Sequence, residues 1–157
     1  MKIDSEQEMM DIGKAVAAAC PSDTLQAAQA KSSRSVEHIA ATALPTVVEL
    51  VGDVGVGKTT FVRGFAEGLG IKEPITSPSF TISKSYACPD GETLVHYDFY
   101  RLNDPGLMVE DLAENLKNPK NIVVIEWSDS VKDILPEEHT VITIKYNDDG
   151  SREVEIK

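Results

Sequence analysis

The chain has 157 residues, of which 41% are hydrophobic, and its 26 acidic and 15 basic residues give a formal net charge of −11. This length predicts one domain over residues 1–157 with a core of its own, and the acidic balance disfavours direct binding of nucleic acid, which requires clustered Lys and Arg. The sequence has neither an apolar run long enough to span a bilayer nor a secretory segment at its start, so we expect a cytoplasmic protein with no membrane partner.

The first predicted element is a helix from Ser5 to Ala19. Ser5 and Glu8 have the capping-box spacing, and apolar residues recur at helical intervals until Pro21 ends the pattern. The stretch from Ser22 to Ala43 is rich in Ala and Ser and holds few large apolar residues. We expect this stretch to be a surface insertion.

A strand from Thr46 to Val51 is predicted to lead into a glycine-rich turn, and the helix after the turn should end at about Leu69. Glu49 is unusual in a strand that should be buried on both faces. We therefore expect Glu49 near the margin of the sheet or where no helix covers it.

A pair of antiparallel strands is predicted next. Phe80, Ile82, Lys84 and Tyr86 alternate along the first strand. A proline–glycine turn at Pro89 to Gly91 then leads into the second strand, within VHYDFYRL.

The last third of the chain should begin with a helix. Asp104 is its expected cap and Pro105 its first residue. Asn121 to Ile125 is a short apolar run typical of a buried strand, and His139–Tyr146 and Glu153–Ile156 should pair as a hairpin.

The stretch GDVGVGKT, Gly52 to Thr59, matches the phosphate-binding pattern GxxxxGK[ST] between a predicted strand and a predicted helix. Glycines let successive backbone N–H groups converge on an anion, and the helix N-terminus adds its positive end. Lys58 can bind the β and γ phosphates, and the Thr59 hydroxyl can ligate Mg²⁺. A chance glycine turn would not match every required position. The predicted binding residues are Asp53, Val54, Gly55, Val56, Gly57, Lys58, Thr59 and Thr60.

Two acidic residues at predicted strand ends are candidate catalytic groups. Glu126 ends the apolar strand in VVIEW, where it would hold Mg²⁺ directly or through water; the alternative is a surface glutamate. Asp98 could orient the attacking water, or it could form an ion pair with Arg101 or Lys58. For His96, a hydrogen-bonded structural role is favoured over a catalytic one. Lys58 completes the predicted catalytic set.

Other nucleotide-binding classes are disfavoured by what the sequence lacks. It has no NKxD or TKxD guanine motif and no LSGGQ signature, and it is too short for a module with a lid domain. Its four arginines, Arg34, Arg63, Arg101 and Arg152, are few for a small-molecule kinase, which usually clamps phosphates with several arginines.

Four motifs in this order resemble the TsaE (YjeE) family. GDVGVGKTTFVRGF is similar to GDLGAGKTTFxRGF, SPSFT at Ser77–Thr81 to SPTFT, VHYDFYRL to HxDxYRL, and VVIEW to IEW. SEQEMMDIGKAVA and LPEE also resemble family segments, so the likeness covers nearly the whole chain outside Ser22 to Ala43. Met9 stands where the family commonly has a threonine near the adenine.

The resemblance implies a P-loop α/β sandwich with a mixed sheet that binds ATP or ADP with Mg²⁺. It implies that Thr59 and Glu126 hold the metal, that Asp98 is needed for hydrolysis, that Trp127 lies near the nucleotide and that Ser77–Thr81 is a switch segment. It also implies TsaB and TsaD as partners, with tRNA reached only through their complex, whose TsaD subunit transfers the threonylcarbamoyl group.

Three functions are therefore weighed. A slow ATPase inside a tRNA-modifying complex is favoured. The alternatives are a small-molecule phosphotransferase, which would need an acceptor pocket and a phosphate-clamping lid, and a non-catalytic module that senses ATP against ADP. Asp98 and Glu126 argue against the last.

Overall fold

The computed structural model describes residues 1–20 and 47–157. The predicted insertion from Ser22 to Ala43 lies outside the described residues. Within the described ranges, no helix is both long enough and apolar enough to cross a membrane.

In the described part of the chain, strands and helices alternate over the first five elements, and strands predominate after them. Their bounds are β1 Lys2–Ile3, α1 Glu6–Ala18, β2 Val47–Val51, α2 Lys58–Gly68, β3 Ser83–Ala87, β4 Thr93–Asp98, α3 Met108–Lys117, β5 Asn121–Glu126, β6 Thr140–Tyr146 and β7 Arg152–Ile156, with 3₁₀ turns at Ser128–Ser130 and Lys132–Ile134.

In the described part of the chain, seven strands form one sheet in the order β1-β7-β6-β2-β5-β4-β3. Strands β6, β2, β5 and β4 run parallel, whereas β3–β4, β6–β7 and β1–β7 are antiparallel. The mixed sheet and both antiparallel hairpins are therefore confirmed. The two-residue strand β1 was not predicted.

The sheet is the middle of three layers. One face carries α1 and α2, whose apolar side chains join Val48, Leu50 and Val124 in one core cluster. The other face carries α3 and the 3₁₀ turns, where Leu112 and Val131 pack on alternate residues of the same strands. This side-chain alternation is what buries a parallel strand on both faces.

Helices α1 and α2 approach each other so closely that their backbones touch. A Cβ added to Gly64 would lie 2.5 Å from the Met10 Cα, and one added to Gly13 would lie 2.6 Å from the backbone nitrogen of Phe65. Real Cβ atoms do not tolerate such distances, so these positions need glycine. The predicted capping box also forms, since Ser5 Oγ accepts from Glu8 N at 3.2 Å and Glu8 Oε2 accepts from Ser5 N at 3.2 Å.

Strand β3 begins later than the predicted start at Phe80. The backbone N–H groups of Thr81 and Ile82 both donate to the Pro78 carbonyl, at 2.9 and 2.6 Å, and close a turn. Ile82 takes a positive φ of 67°, so β3 begins only at Ser83, and Phe80 is 102% exposed in the turn.

The predicted start of the third helix is also wrong. The Asp104 side chain accepts from Gly106 N at 3.0 Å and stabilises a turn before the helix. Helix α3 starts at Met108, and its N-cap residue, Leu107, offers no side-chain cap.

Candidate phosphate-binding site

The glycine-rich loop connects β2 to α2, as the motif predicts. Gly57, immediately before the helix, has a φ of 116°, which L residues rarely adopt. Gly52 is pressed against the neighbouring strand, because an added Cβ would overlap the Ile144 carbonyl. The loop path therefore depends on both glycines.

Lys58 is buried under the loop. Its Nζ donates to the Gly52 and Asp53 carbonyls at 2.7 and 2.9 Å, and it lies 4.0 Å from Glu126 Oε2 and 4.6 Å from the centre of the Trp127 ring. Burial lowers the pKa of Lys58, and the nearby carboxylates partly oppose that shift. The ammonium group thus belongs to a largely buried side chain and lies beside several acceptors.

Glu126 is a buried residue rather than a surface one. Only 3% of it is exposed, and its Oε1 lies 2.9 Å from His96 Nε2. Strands β4 and β5 are parallel and pair Asp98 with Glu126, which brings both carboxylates to one edge of the sheet. His96 is fully buried and has the hydrogen-bonded position expected of it.

Asp98 is held by hydrogen bonds, not by either of the ion pairs weighed for it. Its Oδ2 accepts from Ser79 Oγ at 2.6 Å and from Ser77 Oγ at 3.1 Å, and its Oδ1 accepts from Tyr100 N at 2.9 Å. Arg101 instead stacks its guanidinium 4.8 Å from the centre of the Tyr100 ring. Ser77 and Ser79 therefore fasten the Ser77–Thr81 segment to the carboxylate.

These groups surround one cavity of about 290 Å³. Its lining residues are Val54, Gly55, Gly57, Lys58, Thr59, Thr60, Ser77, Ser79, Asp98, Tyr100, Glu126 and Trp127. Of the other predicted binding residues, Asp53 offers its carbonyl to Lys58, whereas Val56 is fully buried in the core. The assignment of individual binding residues stays a prediction.

The donor set of this cavity fits Mg²⁺. The Thr59 hydroxyl and the Glu126 carboxylate are hard oxygen donors, and both line the cavity. No cluster of three or more His, Cys, Asp or Glu side chains suited to a metal occurs in residues 1–20 and 47–157. Such a cluster is not required, because Mg²⁺ usually takes one or two protein oxygens and completes its shell with phosphates and water.

Glu49 lies on the central strand of the sheet, so of the two places expected for it, the one at the margin is wrong. Strand β2 is flanked by β5 and β6, and Glu49 is buried. Its carboxylate accepts from Ser128 Oγ and lies 3.0 Å from His139 Nε2. Burial alone would raise the pKa of Glu49, but the bonds from Ser128 and His139 hold that pKa below its usual value.

The C-terminal hairpin also reaches the glycine-rich loop, which the sequence did not reveal. Tyr146 Oη donates to the Gly55 carbonyl at 2.7 Å, and the Arg152 guanidinium lies 5.5 Å from the centre of the Tyr146 ring. These residues follow the loop by about a hundred positions, and only the pairing of β6 with β2 brings them to it.

A glycine-rich loop between a parallel strand and a helix, a buried lysine beneath it and two carboxylates on the adjacent strand ends define a P-loop protein of the α/β class. Comparison with known proteins gives the family. The model of the family described as "Threonylcarbamoyl adenosine biosynthesis protein TsaE" matches residues 3–154. The chain belongs to the TsaE family, and membership implies nucleotide binding.

Individual relatives agree with this membership. A tRNA threonylcarbamoyladenosine biosynthesis protein TsaE of Bacillus subtilis is 43% identical over 110 residues, 69% of this chain and 66% of that protein. One from Rickettsia bellii is 35% identical over 134 residues, 83% of this chain and 91% of that protein. The crystal structure of YdiB from Bacillus subtilis aligns with a TM-score of 0.65 and 33% identity, covering 98% of this chain and 80% of that one.

Proposed function

We propose that this protein is a slow ATP hydrolase that supports turnover of a TsaB–TsaD complex making threonylcarbamoyladenosine in tRNA. The observation that carries the proposal is the meeting of Asp98 and Glu126 with Lys58 and Thr59 at one cavity. A site that only holds phosphate needs the loop and the lysine. Two buried carboxylates on neighbouring strand ends add groups suited to metal binding and to positioning water.

The roles follow from the contacts of each side chain. Lys58 places its charge against the β and γ phosphates, giving up the loop carbonyls that it now contacts. Thr59 and Glu126 would hold Mg²⁺, and the contact with His96 would fix the orientation of the Glu126 carboxylate. When bound, Mg²⁺ supplies positive charge to the phosphate oxygens.

Asp98 is the group proposed to orient the attacking water. Its carboxylate accepts hydrogen bonds from Ser77 and Ser79, so a movement of the Ser77–Thr81 segment would change the contacts of this carboxylate. That coupling supports a role for the segment as a switch, because contacts with the γ-phosphate would compete for the same serine hydroxyls.

The partners are proposed from family membership and from charge. A net charge of −11 suits a subunit that binds protein rather than tRNA, so tRNA would be reached only through TsaB and TsaD, in the cytoplasm. A small-molecule phosphotransferase is less well supported. Arg101 stacks on Tyr100, and none of the described residues that line the cavity is an arginine of the kind that a phosphate-clamping lid would supply.

The test is ATP hydrolysis by the purified chain, alone and with TsaB and TsaD, while the fluorescence of Trp127 reports nucleotide binding. Trp127 is the only tryptophan and lines the cavity. Lys58→Ala should abolish the fluorescence change and lower hydrolysis by about 100-fold or more. Lys72→Ala, which removes the same charge from an exposed site, is the matched control and should change neither.

Asp98→Ala separates the ATPase from a nucleotide sensor. Retained binding with lost hydrolysis and lost threonylcarbamoyladenosine synthesis supports the proposal. If synthesis survives the loss of hydrolysis, the protein acts by binding alone. If TsaB and TsaD neither bind the chain nor stimulate it, the proposed coupling is wrong, and small-molecule acceptors should be tested instead.

A further inference from the structure

Trp127 borders two cavities and is only partly enclosed by packing. It lines the phosphate-binding cavity and also a second cavity of about 310 Å³, which Glu49 and Ser128 line as well. Its ring contacts Tyr100, with 4.9 Å between the ring centres, and the Lys58 ammonium group lies 4.6 Å from the ring of Trp127. The position of the indole therefore bears on the lysine proposed to bind the phosphates.

The backbone of Trp127 needs support from its surroundings. Its φ of 58° and ψ of 51° lie in the left-handed region, which is unfavourable for a residue with a Cβ and persists only where neighbouring structure imposes it. On one side, Glu126 is the last residue of β5 and pairs with Asp98 of β4. On the other side, the first residue is Ser128, whose side chain is buried.

Ser128 provides a tether directly after the tryptophan. Its Oγ donates a hydrogen bond to the Glu49 carboxylate, and the other oxygen of that carboxylate lies 3.0 Å from His139 Nε2. Glu49 belongs to β2, which is paired on both sides with β5 and β6. A hydrogen bond to a carboxylate is stronger than one between neutral groups. The tether thus connects the residue after Trp127 to the central strand of the sheet.

We propose that Glu49 and Ser128 are positioning residues of the phosphate site. Their hydrogen bond holds Trp127 in its left-handed conformation and so keeps the indole ring against Lys58, an inference that rests on the proposed phosphate binding by that lysine. A cation is attracted to the face of an aromatic ring, so the indole restricts where the ammonium group can lie. The buried glutamate of β2 thereby acts on the phosphate cavity without lining it.

The experiment measures acrylamide quenching of Trp127 fluorescence without nucleotide, and ATP binding with Mg²⁺ by isothermal titration calorimetry. Trp127 is the only tryptophan, so the fluorescence reports on it alone. Ser128→Ala should shift the emission to longer wavelength, increase quenching and weaken ATP binding by about threefold to tenfold. Ser130→Ala is the matched control and should change neither, because Ser130 Oγ is also buried but has no hydrogen-bond partner among the described residues.

A second variant separates the tether from a general loss of stability. Glu49→Met keeps a side chain of similar length but removes the acceptor. It should reproduce the effects of Ser128→Ala, and Ser128→Ala should add nothing to them in the Glu49→Met background, as expected for two partners of one hydrogen bond. Thermal unfolding verifies that each variant is folded.

The outcomes are distinct. Increased quenching and weaker ATP binding in Ser128→Ala, with neither in Ser130→Ala, supports the inference. Unchanged quenching overturns it, because Trp127 then keeps its position without the hydrogen bond, and so does an equal effect of Ser130→Ala. Increased quenching with unchanged ATP affinity overturns it as well, since the ring would not act on Lys58. If the unaltered protein does not bind ATP in a Lys58-dependent way, the proposed function fails, while quenching still decides whether the tether holds Trp127.

Discussion

The contact between Ser79 and Asp98 should be a measurable energetic coupling. Ser79→Ala removes the shortest hydrogen bond to the Asp98 carboxylate, 2.6 Å long, and leaves the 3.1 Å bond from Ser77 and the bond from Tyr100 N. A hydrogen bond to a charged group contributes about 1.5–3 kcal/mol. Asp98 is buried but Ser79 is exposed, so water can replace part of the interaction, and we expect a coupling of about 1 kcal/mol.

The assay is a double-mutant cycle measured by urea unfolding. Ser79→Ala, Asp98→Ala and the double variant are compared with the unaltered chain, and the coupling is the departure of the double variant from additivity. Ser85→Ala combined with Asp98→Ala is the matched control, because Ser85 is an exposed serine of β3 and the described residues offer its side chain no hydrogen bond. Additivity of Ser79→Ala and Asp98→Ala within about 0.3 kcal/mol would refute the idea that Asp98 fastens the Ser77–Thr81 segment.

Two further predictions concern the centre of the sheet and the helix pair. Glu49→Gln should reduce the free energy of unfolding by about 1–3 kcal/mol near pH 6. Because the folded-state pKa of Glu49 is lowered, that contribution should be complete above the usual value of 4.5 and should disappear as the pH falls through the lower folded pKa. Urea unfolding between pH 3 and 6 measures this, and a difference that is constant with pH would contradict the role given to Ser128 and His139. Gly64→Ala should destabilise the protein by more than about 2 kcal/mol, because its Cβ would meet the backbone of Met10 at 2.5 Å; thermal unfolding measures it, and an unchanged melting temperature would mean that the helices are not in contact.

The phosphate loop could be predicted because the residues that make it are contiguous. The conformation of the loop depends on its own glycines and Lys58, which are close together in the sequence. The strand and the helix on either side follow from hydrophobic periodicity. Asp98 and Glu126 could also be predicted, since each closes an apolar run, and parallel pairing brings such ends together. Their hydrogen-bond partners could not be predicted, because these depend on how the chain folds over the strand ends.

The predictions that failed concern local turns and distant contacts. Alternation extended β3 back to Phe80, but the Pro78 carbonyl captures two following N–H groups and imposes a turn. Asp104 has the residue type of a helix cap, yet its carboxylate is used by Gly106. Glu49 was recognised as unusual, but its partner His139 lies 90 positions away, and the pattern within one strand contains no information on such a contact.

The contact between α1 and α2 has a consequence for how the protein can move. Because Gly13 and Gly64 bring the two backbones into contact, the close packing at these positions opposes sliding of one helix past the other. Helix α2, which begins at Lys58, is therefore held in place by its close packing against α1. On the other side of the cavity, Ser77 and Ser79 are exposed and held to Asp98 by hydroxyl groups alone. We therefore expect a conformational change in a nucleotide cycle to reach a partner through the Ser77–Thr81 segment, while α1 and α2 stay fixed relative to each other.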